Sequence, residues 1–320
     1  MGGGEKIVNY LYRGFERLIF NPANTILEGR IRETTNYIKL LGKAINKQTG
    51  RERKYFIGDL HIHSMFSDGV NTVDHIARVA KRKGLDIISI TDHDTLEQWD
   101  YCKKAERKYD LMIIPGIELT VSHNGQEFHI LGLFPSYENK AELERKLHRG
   151  MPFLEASKVI REKGGVVILA HPLVHNGISR ENLEDLIQRE KEEKVTYIDG
   201  IEEFNPSAGE AYRTLADEYK KTGLANSDSH QKISIGLALN IFSNKIEGKE
   251  DVLKAIRENH ILKDLVVAKS GIERNIDKLR MLHPFYLEKT LVEYFDDKEK
   301  IIARKLTEIL ENEQRGEKIK

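Results

Sequence analysis

Two histidines separated by one residue mark the part of the sequence best suited to chemistry. In the stretch GDLHIHSMFSDG (58–69), His61 and His63 follow an apolar run, and Asp68 comes shortly afterwards. Side chains at positions i and i+2 of a strand point to the same face, so the two imidazoles would converge on one point. That arrangement offers two nitrogen ligands to one metal ion. For a single pair, two solvated histidines at a polar strand end are the simpler explanation, so the hypothesis depends on the remaining candidates.

Further histidines and carboxylates stand at or near the ends of other predicted strands, so that six of the 12 histidines, including His61 and His63, lie at strand ends. The C-terminal strand ends of a parallel β/α barrel gather on one rim, and active sites lie there. Six imidazoles satisfied independently on one rim are a much poorer explanation than a shared metal cluster. The predicted ligands are His61, His63, Asp68, His93, Glu118, His129, His171, Asp228 and His230.

This set of ligands predicts more than one metal ion. A single ion with four to six ligands cannot use so many nitrogen and oxygen donors, whereas two or three ions can. Imidazoles mixed with carboxylates suit Mn, Fe or Zn, while Ca and Mg favour sites made only of oxygen. Closely spaced metals lower the pKa of bound water and clamp the oxygens of a transferred group. The predicted cofactors are therefore two or three divalent ions (Mn, Fe or Zn), and the matching chemistry is phosphoester hydrolysis.

Other catalytic designs have weaker support in the sequence. There is no GxSxG sequence, no GxGxxG sequence after a strand and no Walker A sequence. The single cysteine, Cys102, excludes an intrachain disulfide and a cysteine-based zinc site. It lies in a helical stretch with no evident base partner, which argues against a nucleophilic thiol.

Short apolar runs that alternate with amphipathic helices must position these residues. In the helical stretch TVDHIARVAKRKG (72–84), apolar residues recur at helical spacing and a glycine ends the pattern. Such alternation predicts a largely parallel sheet, whose length suits a barrel or an open sheet. Only VSHNG separates the third and fourth strands, which suits a hairpin. The seven predicted strands are YFIGDLH, IISITDHD, MIIPGIELT, EFHILGLF, VVILAHP, IDGIEEFN and GLANSDSH.

Composition limits the class of protein. The 320 residues include 51 basic and 51 acidic side chains, so the net charge gives no argument for binding nucleic acid or membranes. No apolar run approaches the roughly 18 residues of a membrane span. The N-terminal stretch lacks the apolar core and cleavage site of a secretory signal. We therefore predict a cytoplasmic protein without a membrane partner, and its oligomeric state stays open.

The two ends of the chain differ from its centre. Residues 1–53 and 271–320 carry apolar positions at helical spacing and contain none of the predicted ligands. Such a stripe is usually a docking face, so both are predicted to be helical extensions packed on a central domain, residues 54–270. An interface with a second chain is the alternative.

Taken together, DLHIHSMFSDG, ITDHDT, PGIE, FHILG, AHP and NSDSH, in this order, resemble the PHP (polymerase and histidinol phosphatase) superfamily of metal-dependent phosphoesterases. The resemblance covers roughly residues 55–245. It implies a distorted seven-stranded β/α (TIM-like) barrel, to which the terminal helices are additions.

The resemblance also implies a role for each predicted ligand. The ligands fall into three groups, with His61, His63, Glu118 and Asp228 on the first metal, Glu118 as a bridge with His129 and His171 on the second, and Asp68, His93 and His230 on the third. A metal-bridging hydroxide would be the nucleophile, and the residues that serve catalysis by holding it would be His61, His63, Glu118, His171 and Asp228.

The substrate is implied less closely. Related phosphatases and exonucleases often carry a basic residue soon after AHP, where this chain has His175 and then Arg180. Asn205 stands at the end of the sixth predicted strand, and these three residues are the predicted substrate contacts. The expected substrate is a small phosphomonoester, a nucleotide or an oligonucleotide end. The alternatives are a regulatory or scaffold module and an exonuclease that acts in trans.

Overall fold

A nearly closed, barrel-shaped sheet forms the centre of the fold in this computed structural model, which describes residues 56–261 apart from 175, 206–213, 233 and 243–245. Its strands are β1 (Phe56–Asp59), β2 (Ile87–Ile90), β3 (Met112–His123), β4 (Gln126–Leu133), β5 (Met151–Pro152), β6 (Val166–Leu169), β7 (Gly200–Phe204), β8 (Thr222–Ala225) and β9 (Asn240–Phe242). The helices are α1 (Val73–Lys83), α2 (Trp99–Tyr109), α3 (Lys140–Lys146), α4 (Phe153–Glu162), α5 (Arg180–Glu193), α6 (Leu215–Glu218) and α7 (Lys249–Arg257).

The order of the strands confirms the predicted α/β barrel. Along the sheet it is β8-β7-β6-β4-β3-β2-β1-β9, and β5 pairs with β3. Most neighbours are parallel, but β4 runs antiparallel to both β3 and β6, and β9 runs antiparallel to β1. All seven predicted strands are present, whereas the predicted count was too low because β5 and β9 are also in the sheet. These two strands have only two and three residues, too few to show an apolar period.

The hairpin of β3 and β4 confirms the prediction made from the short VSHNG connection. Thr120 of β3 pairs with His129 of β4, and Glu118 pairs with Leu131. Because β4 runs back along β3, its early residues lie beside the late residues of β3. This antiparallel pairing places the side chain of His129 near that of Glu118.

Side chains take the place of a strand ladder where β8 meets β1. The Asp59 carboxylate accepts hydrogen bonds from the N–H groups of Ser227 (3.0 Å) and Gly236 (2.8 Å). Asn226 Oδ1 accepts the Leu60 N–H at 3.0 Å. Further along, the His63 N–H donates to the Ser229 carbonyl at 2.9 Å. The seam of the barrel is therefore closed by buried polar side chains and by backbone hydrogen bonds, at the end of β1 and in the segments that follow β1 and β8.

Helix α1 shows how the sequence determines a local element. The Thr72 side chain accepts the His75 N–H, which caps the first turn, and Gly84 ends the helix at a φ of 89°. The apolar stripe, which includes Ile76 and Ala80, is buried in one hydrophobic cluster with residues of the sheet such as Ile88. This helix matches the prediction from TVDHIARVAKRKG.

The two predicted helical extensions cannot be compared with the structure. The proposed extensions 1–53 and 271–320 lie outside the described residues, so their helical character and the domain boundaries stay predictions.

Among the described residues, no helix combines the length and the apolar character that crossing a membrane requires.

Replacing Gly116 by alanine is expected to destabilise the barrel by about 1–3 kcal/mol, the usual cost of overpacking. A Cβ atom at this position would lie 2.3 Å from Ser89 Oγ and 2.7 Å from Thr91 Cγ2, within β2 and just after it. Urea unfolding of the full chain measures the loss. Gly248→Ala is the matched control, since a Cβ atom there would meet no atom of the described residues within 4 Å. An equal loss in both variants would contradict the close contact as the cause.

Candidate metal centre

The structure brings all nine predicted ligands together at one rim of the barrel. Donor atoms lie within 4.8 Å of one another in three overlapping groups. The groups are His61, His63, Glu118 and Asp228; His93, Glu118 and His129; and His63, Asp68, His93 and His230. His171 joins the cluster through Nε2, which is 3.0 Å from Glu118 Oε1.

Glu118 lies at the centre of the cluster, and each of its oxygens faces different imidazoles. Oε1 is 3.0 Å from His129 Nδ1 and 3.0 Å from His171 Nε2. Oε2 is 3.0 Å from His61 Nε2 and 3.0 Å from His63 Nε2. The side chain is buried in the third strand. Its position therefore suits a carboxylate shared between two cations.

The other two carboxylates lie on opposite sides of the His63 imidazole. Asp228 Oδ1 is 3.1 Å from His63 Nε2 and 3.4 Å from His61 Nε2, and its side chain is buried. Asp68 is mostly exposed, and its Oδ2 lies 3.1 Å from His230 Nε2. The carboxylates of Glu118 and Asp228 are therefore buried, whereas Asp68 lies on the side of the cluster that is open to solvent.

Local hydrogen bonds and backbone angles determine the shape of the loops that carry the predicted ligands. Asp92 holds the loop after β1 because its carboxylate accepts the Ser64 N–H at 2.7 Å and the Ser67 hydroxyl at 2.7 Å. His171 and Asp228 both have positive φ angles, 28° and 50°, so their side chains leave tight turns directly after β6 and β8. The predicted ligands therefore lie in a hydrogen-bonded loop and in tight turns at the ends of strands.

Electrostatics make this cluster a site for positive charge. Burial alone would lower the pKa of His61, yet attraction to Glu118, Asp228 and Glu202 raises this pKa well above its usual value. Burial also opposes protonation of His63, but hydrogen bonds to Asp228 and Glu118 raise its pKa to about 10. Burial alone would raise the pKa values of Glu118 and Asp228, but the nearby imidazoles have the larger effect and hold both pKa values well below their usual range.

The donor set fits divalent metal ions. His129 Nδ1 is buried and lies 3.0 Å from Glu118 Oε1 without making a hydrogen bond to any described residue, an arrangement that suits two donors to one cation. Imidazole nitrogens and carboxylate oxygens together are the donors that Zn, Mn and Fe accept. The observed groups match the composition of such sites, with three or four donors each.

The three predicted substrate contacts are placed differently. His175 lies outside the described residues. Arg180 is exposed at the start of α5, where its Nη1 donates to Glu218 at 2.9 Å. Asn205 is buried, and its Nδ2 lies 3.3 Å from Asp228 Oδ2. Contact of these residues with a substrate stays a prediction.

Two features of the site were not predicted. Glu202 stands near the end of the sixth predicted strand, beside Asn205, but its role was not predicted; it is buried in β7, with Oε1 2.9 Å from His61 Nδ1. A cleft of about 440 Å³ opens beside the cluster. Its lining residues are Ser67, Asp68, His93, Asp94, Thr120, Glu127, Phe128, His129, Arg149 and Asn176.

A β/α barrel with imidazoles and carboxylates clustered at one rim defines a class of metal-binding barrel proteins. The sequence model of the PHP domain matches residues 59–312, so the chain belongs to the PHP domain family. This confirms the resemblance noted in the sequence.

Two curated relatives and one crystal structure extend the comparison. An uncharacterized protein of Methanocaldococcus jannaschii is 31% identical over 125 residues, which are 36% of this chain and 66% of that protein. A 5′-3′ exoribonuclease of Haemophilus influenzae is 29% identical over 110 residues, 34% of this chain and 37% of that protein. The chain thus spans 66% and 37% of the lengths of these two relatives.

The crystal structure is a two-domain protein from Bacteroides vulgatus that contains a predicted PHP-like metal-dependent phosphoesterase. It is 20% identical to this chain, with a TM-score of 0.51, and the alignment covers 65% of this chain and 64% of that protein. At this identity the similarity establishes the fold.

Proposed function

We propose that this chain is a metal-dependent phosphoesterase that hydrolyses a phosphomonoester, a nucleotide or an oligonucleotide end. The observation that carries the proposal is the convergence of all nine predicted ligands on one rim. Membership of the PHP domain family supports it. A regulatory or scaffold module is less well supported, because such a role does not require a complete set of clustered ligands.

The proposed roles follow the geometry of the cluster. The side chains of the three observed groups, together with His171, would hold two or three divalent ions (Mn, Fe or Zn), with Glu118 shared between them. Bound metals supply Lewis acidity and activate water near neutral pH. The buried side of the cluster, around Glu118 and Asp228, excludes solvent, whereas Asp68 faces the cleft from which a substrate would approach.

The cleft is the proposed substrate site. Its volume of about 440 Å³ falls within the range of small-molecule pockets. Arg149 contributes a cation to its lining, and the guanidinium lies 3.3 Å from Asp94 and 3.8 Å from Glu127. These two carboxylates hold the arginine at the mouth of the cleft, where its remaining N–H groups suit a phosphate or another anionic group.

A second candidate function is that of an exonuclease acting on the 5′ end of a nucleic acid. The similarity to the Haemophilus influenzae 5′-3′ exoribonuclease favours it. An open cleft that leads to the cluster suits a chain end as well as a small phosphate ester. Both candidates use the same cluster, and we expect either to act in the cytoplasm.

A substrate panel distinguishes these candidates. Purified protein is incubated with phosphorylated metabolites, nucleotides and 5′-phosphorylated RNA and DNA oligonucleotides, each with Mn, Fe, Co or Zn. Release of inorganic phosphate alone supports a phosphomonoesterase, whereas stepwise release of mononucleotides supports an exonuclease. Turnover of no phosphoester by the metal-loaded protein would overturn the proposal.

Replacing Arg149 by alanine is expected to raise KM about tenfold with little change in kcat. A hydrogen bond to a charged group contributes about 1.5–3 kcal/mol, and the exposure of this side chain places the effect at the lower end. Steady-state kinetics on the best substrate of the panel measures the change. Arg145→Ala, on the exposed surface of α3, is the matched control. An unchanged KM in Arg149→Ala would remove this residue from the substrate site.

A further inference from the structure

A third buried carboxylate, that of Glu202, contacts two of the clustered histidines on the side away from the cleft. It lies in β7 and is 1% exposed. Its Oε1 is 2.9 Å from His61 Nδ1, and its Oε2 accepts the backbone N–H of His171 at 2.8 Å. We propose that Glu202 is a positioning residue that fixes the ring of His61 and the backbone of His171 for metal binding, an inference that rests on the proposed metal site.

The contact with His61 determines which ring nitrogen carries hydrogen. An ionised carboxylate only accepts hydrogen bonds, so His61 Nδ1 must donate to Glu202. When a metal ion takes the place of the proton on Nε2, the ring would be neutral, with its hydrogen on Nδ1 and its lone pair on Nε2. That nitrogen faces the cluster, 3.0 Å from Glu118 Oε2 and 3.1 Å from His63 Nε2. Glu202 thereby holds His61 in the tautomer that a metal ion requires, as carboxylates behind metal-binding histidines generally do.

Other hydrogen bonds prevent Glu202 from adopting a different orientation. Asn226 Nδ2 donates to Oε1 at 2.8 Å, and Asn205 Nδ2 donates to Oε2 at 3.2 Å. Asn226 in turn accepts the Leu60 N–H and a bond from Asn240 Nδ2 at 2.7 Å. Each oxygen of Glu202 thus receives two donors, and the same network closes the barrel where β8 meets β1.

The contact with His171 acts on the backbone. His171 has a φ of 28°, which places it in the left-handed region that non-glycine residues seldom adopt. Its N–H is held by Glu202, while its carbonyl packs closely against Gly177, where a Cβ atom would lie 2.1 Å from that oxygen. One carboxylate therefore positions two ligands that contact opposite oxygens of Glu118.

The Glu202→Gln variant tests this role. Glutamine keeps the shape but has one oxygen acceptor, so its NH₂ group must face either His61 Nδ1 or the His171 N–H. If the NH₂ group faces His61 Nδ1, it favours hydrogen on His61 Nε2, where the metal would bind. If it faces the His171 N–H, two hydrogen-bond donors oppose each other. We expect the affinity of the full chain for Zn²⁺ to fall about 10- to 100-fold, as measured by competition with a chromophoric chelator.

Glu203→Gln is the matched control on the same strand. Its carboxylate is also buried, but Oε1 accepts the Ala216 N–H on the other face of β7. Zn²⁺ affinity in this variant should stay at the wild-type value. An equal fall in both variants, or no fall in Glu202→Gln, would overturn the proposal.

A measurement on the wild-type chain covers the case in which Glu202→Gln does not fold. Long-range ¹⁵N spectra of histidine-labelled, Zn²⁺-loaded protein should show one ring, absent in His61→Ala, with hydrogen on Nδ1 and metal on Nε2. Metal on Nδ1 of that ring would contradict the assignment. These readouts do not depend on turnover, so they can succeed even if no phosphoester proves to be a substrate.

Discussion

Turnover is expected to fall by roughly a thousandfold or more when Glu118 is replaced by glutamine. The carboxylate is buried and lies 3.0 Å from each of four imidazoles, two on each oxygen. Glutamine removes the negative charge and one of the two oxygens, so it cannot be shared between cations. Metal catalysis contributes several kcal/mol of barrier lowering, and each ~1.36 kcal/mol corresponds to a factor of ten.

The test compares kcat of the two proteins on the best substrate at saturating metal. Circular dichroism confirms that the Glu118→Gln variant is folded. Glu142→Gln is the matched control, because this carboxylate lies on the surface of α3 and pairs with Lys146 and Lys163. Turnover near the wild-type value in Glu118→Gln would show that the cluster is not the catalytic centre.

Removal of metal is expected to lower the thermal stability of the protein by roughly 10 °C. Ligands that bind only the folded state stabilise it by about 2.7 kcal/mol per site at one hundred times Kd, and about 2–4 °C follows from each kcal/mol. Glu118 Oε2 and Asp228 Oδ1 lie 3.0 and 3.1 Å from His63 Nε2, a grouping of donors that exists only in the folded chain. Scanning calorimetry of chelated and Zn²⁺-reloaded protein measures the difference.

The Glu118→Gln variant provides the control for this shift, because Zn²⁺ should stabilise it much less. A melting temperature that is the same with and without metal in the wild-type chain would contradict a resident metal cluster. An equal shift in wild-type and variant proteins would place the stabilising metal elsewhere.

The chemistry of the rim was predictable because it depends on residue types at strand ends. His61 and His63 follow an apolar run, and Asp228 and His230 follow another, so the parallel topology brings both pairs together. His129 was also predicted, because the fourth strand carries it, and the hairpin with β3 places it beside Glu118. Local patterns and one topological rule were sufficient for this part of the site.

The supporting residues were not predictable in the same way. Glu202 and His61 are 141 positions apart, and no local pattern relates them. Arg149 reaches the cleft through its contacts with Asp94 and Glu127, which depend on how a loop is placed. Arg180, chosen because it follows AHP, pairs with Glu218, a contact that no local pattern indicates, and its contact with a substrate stays a prediction. These contacts depend on long-range packing, and the spacing of apolar residues along the sequence carries no information on such packing.

Titration of metal-free protein with Mn²⁺, while hydrolysis of the best substrate is followed, tests the central claim most directly. The metal-free chain should be inactive, and turnover should rise until about two or three equivalents are bound, as catalysis by clustered metals requires. Full hydrolysis by protein shown by elemental analysis to contain no metal would contradict the account.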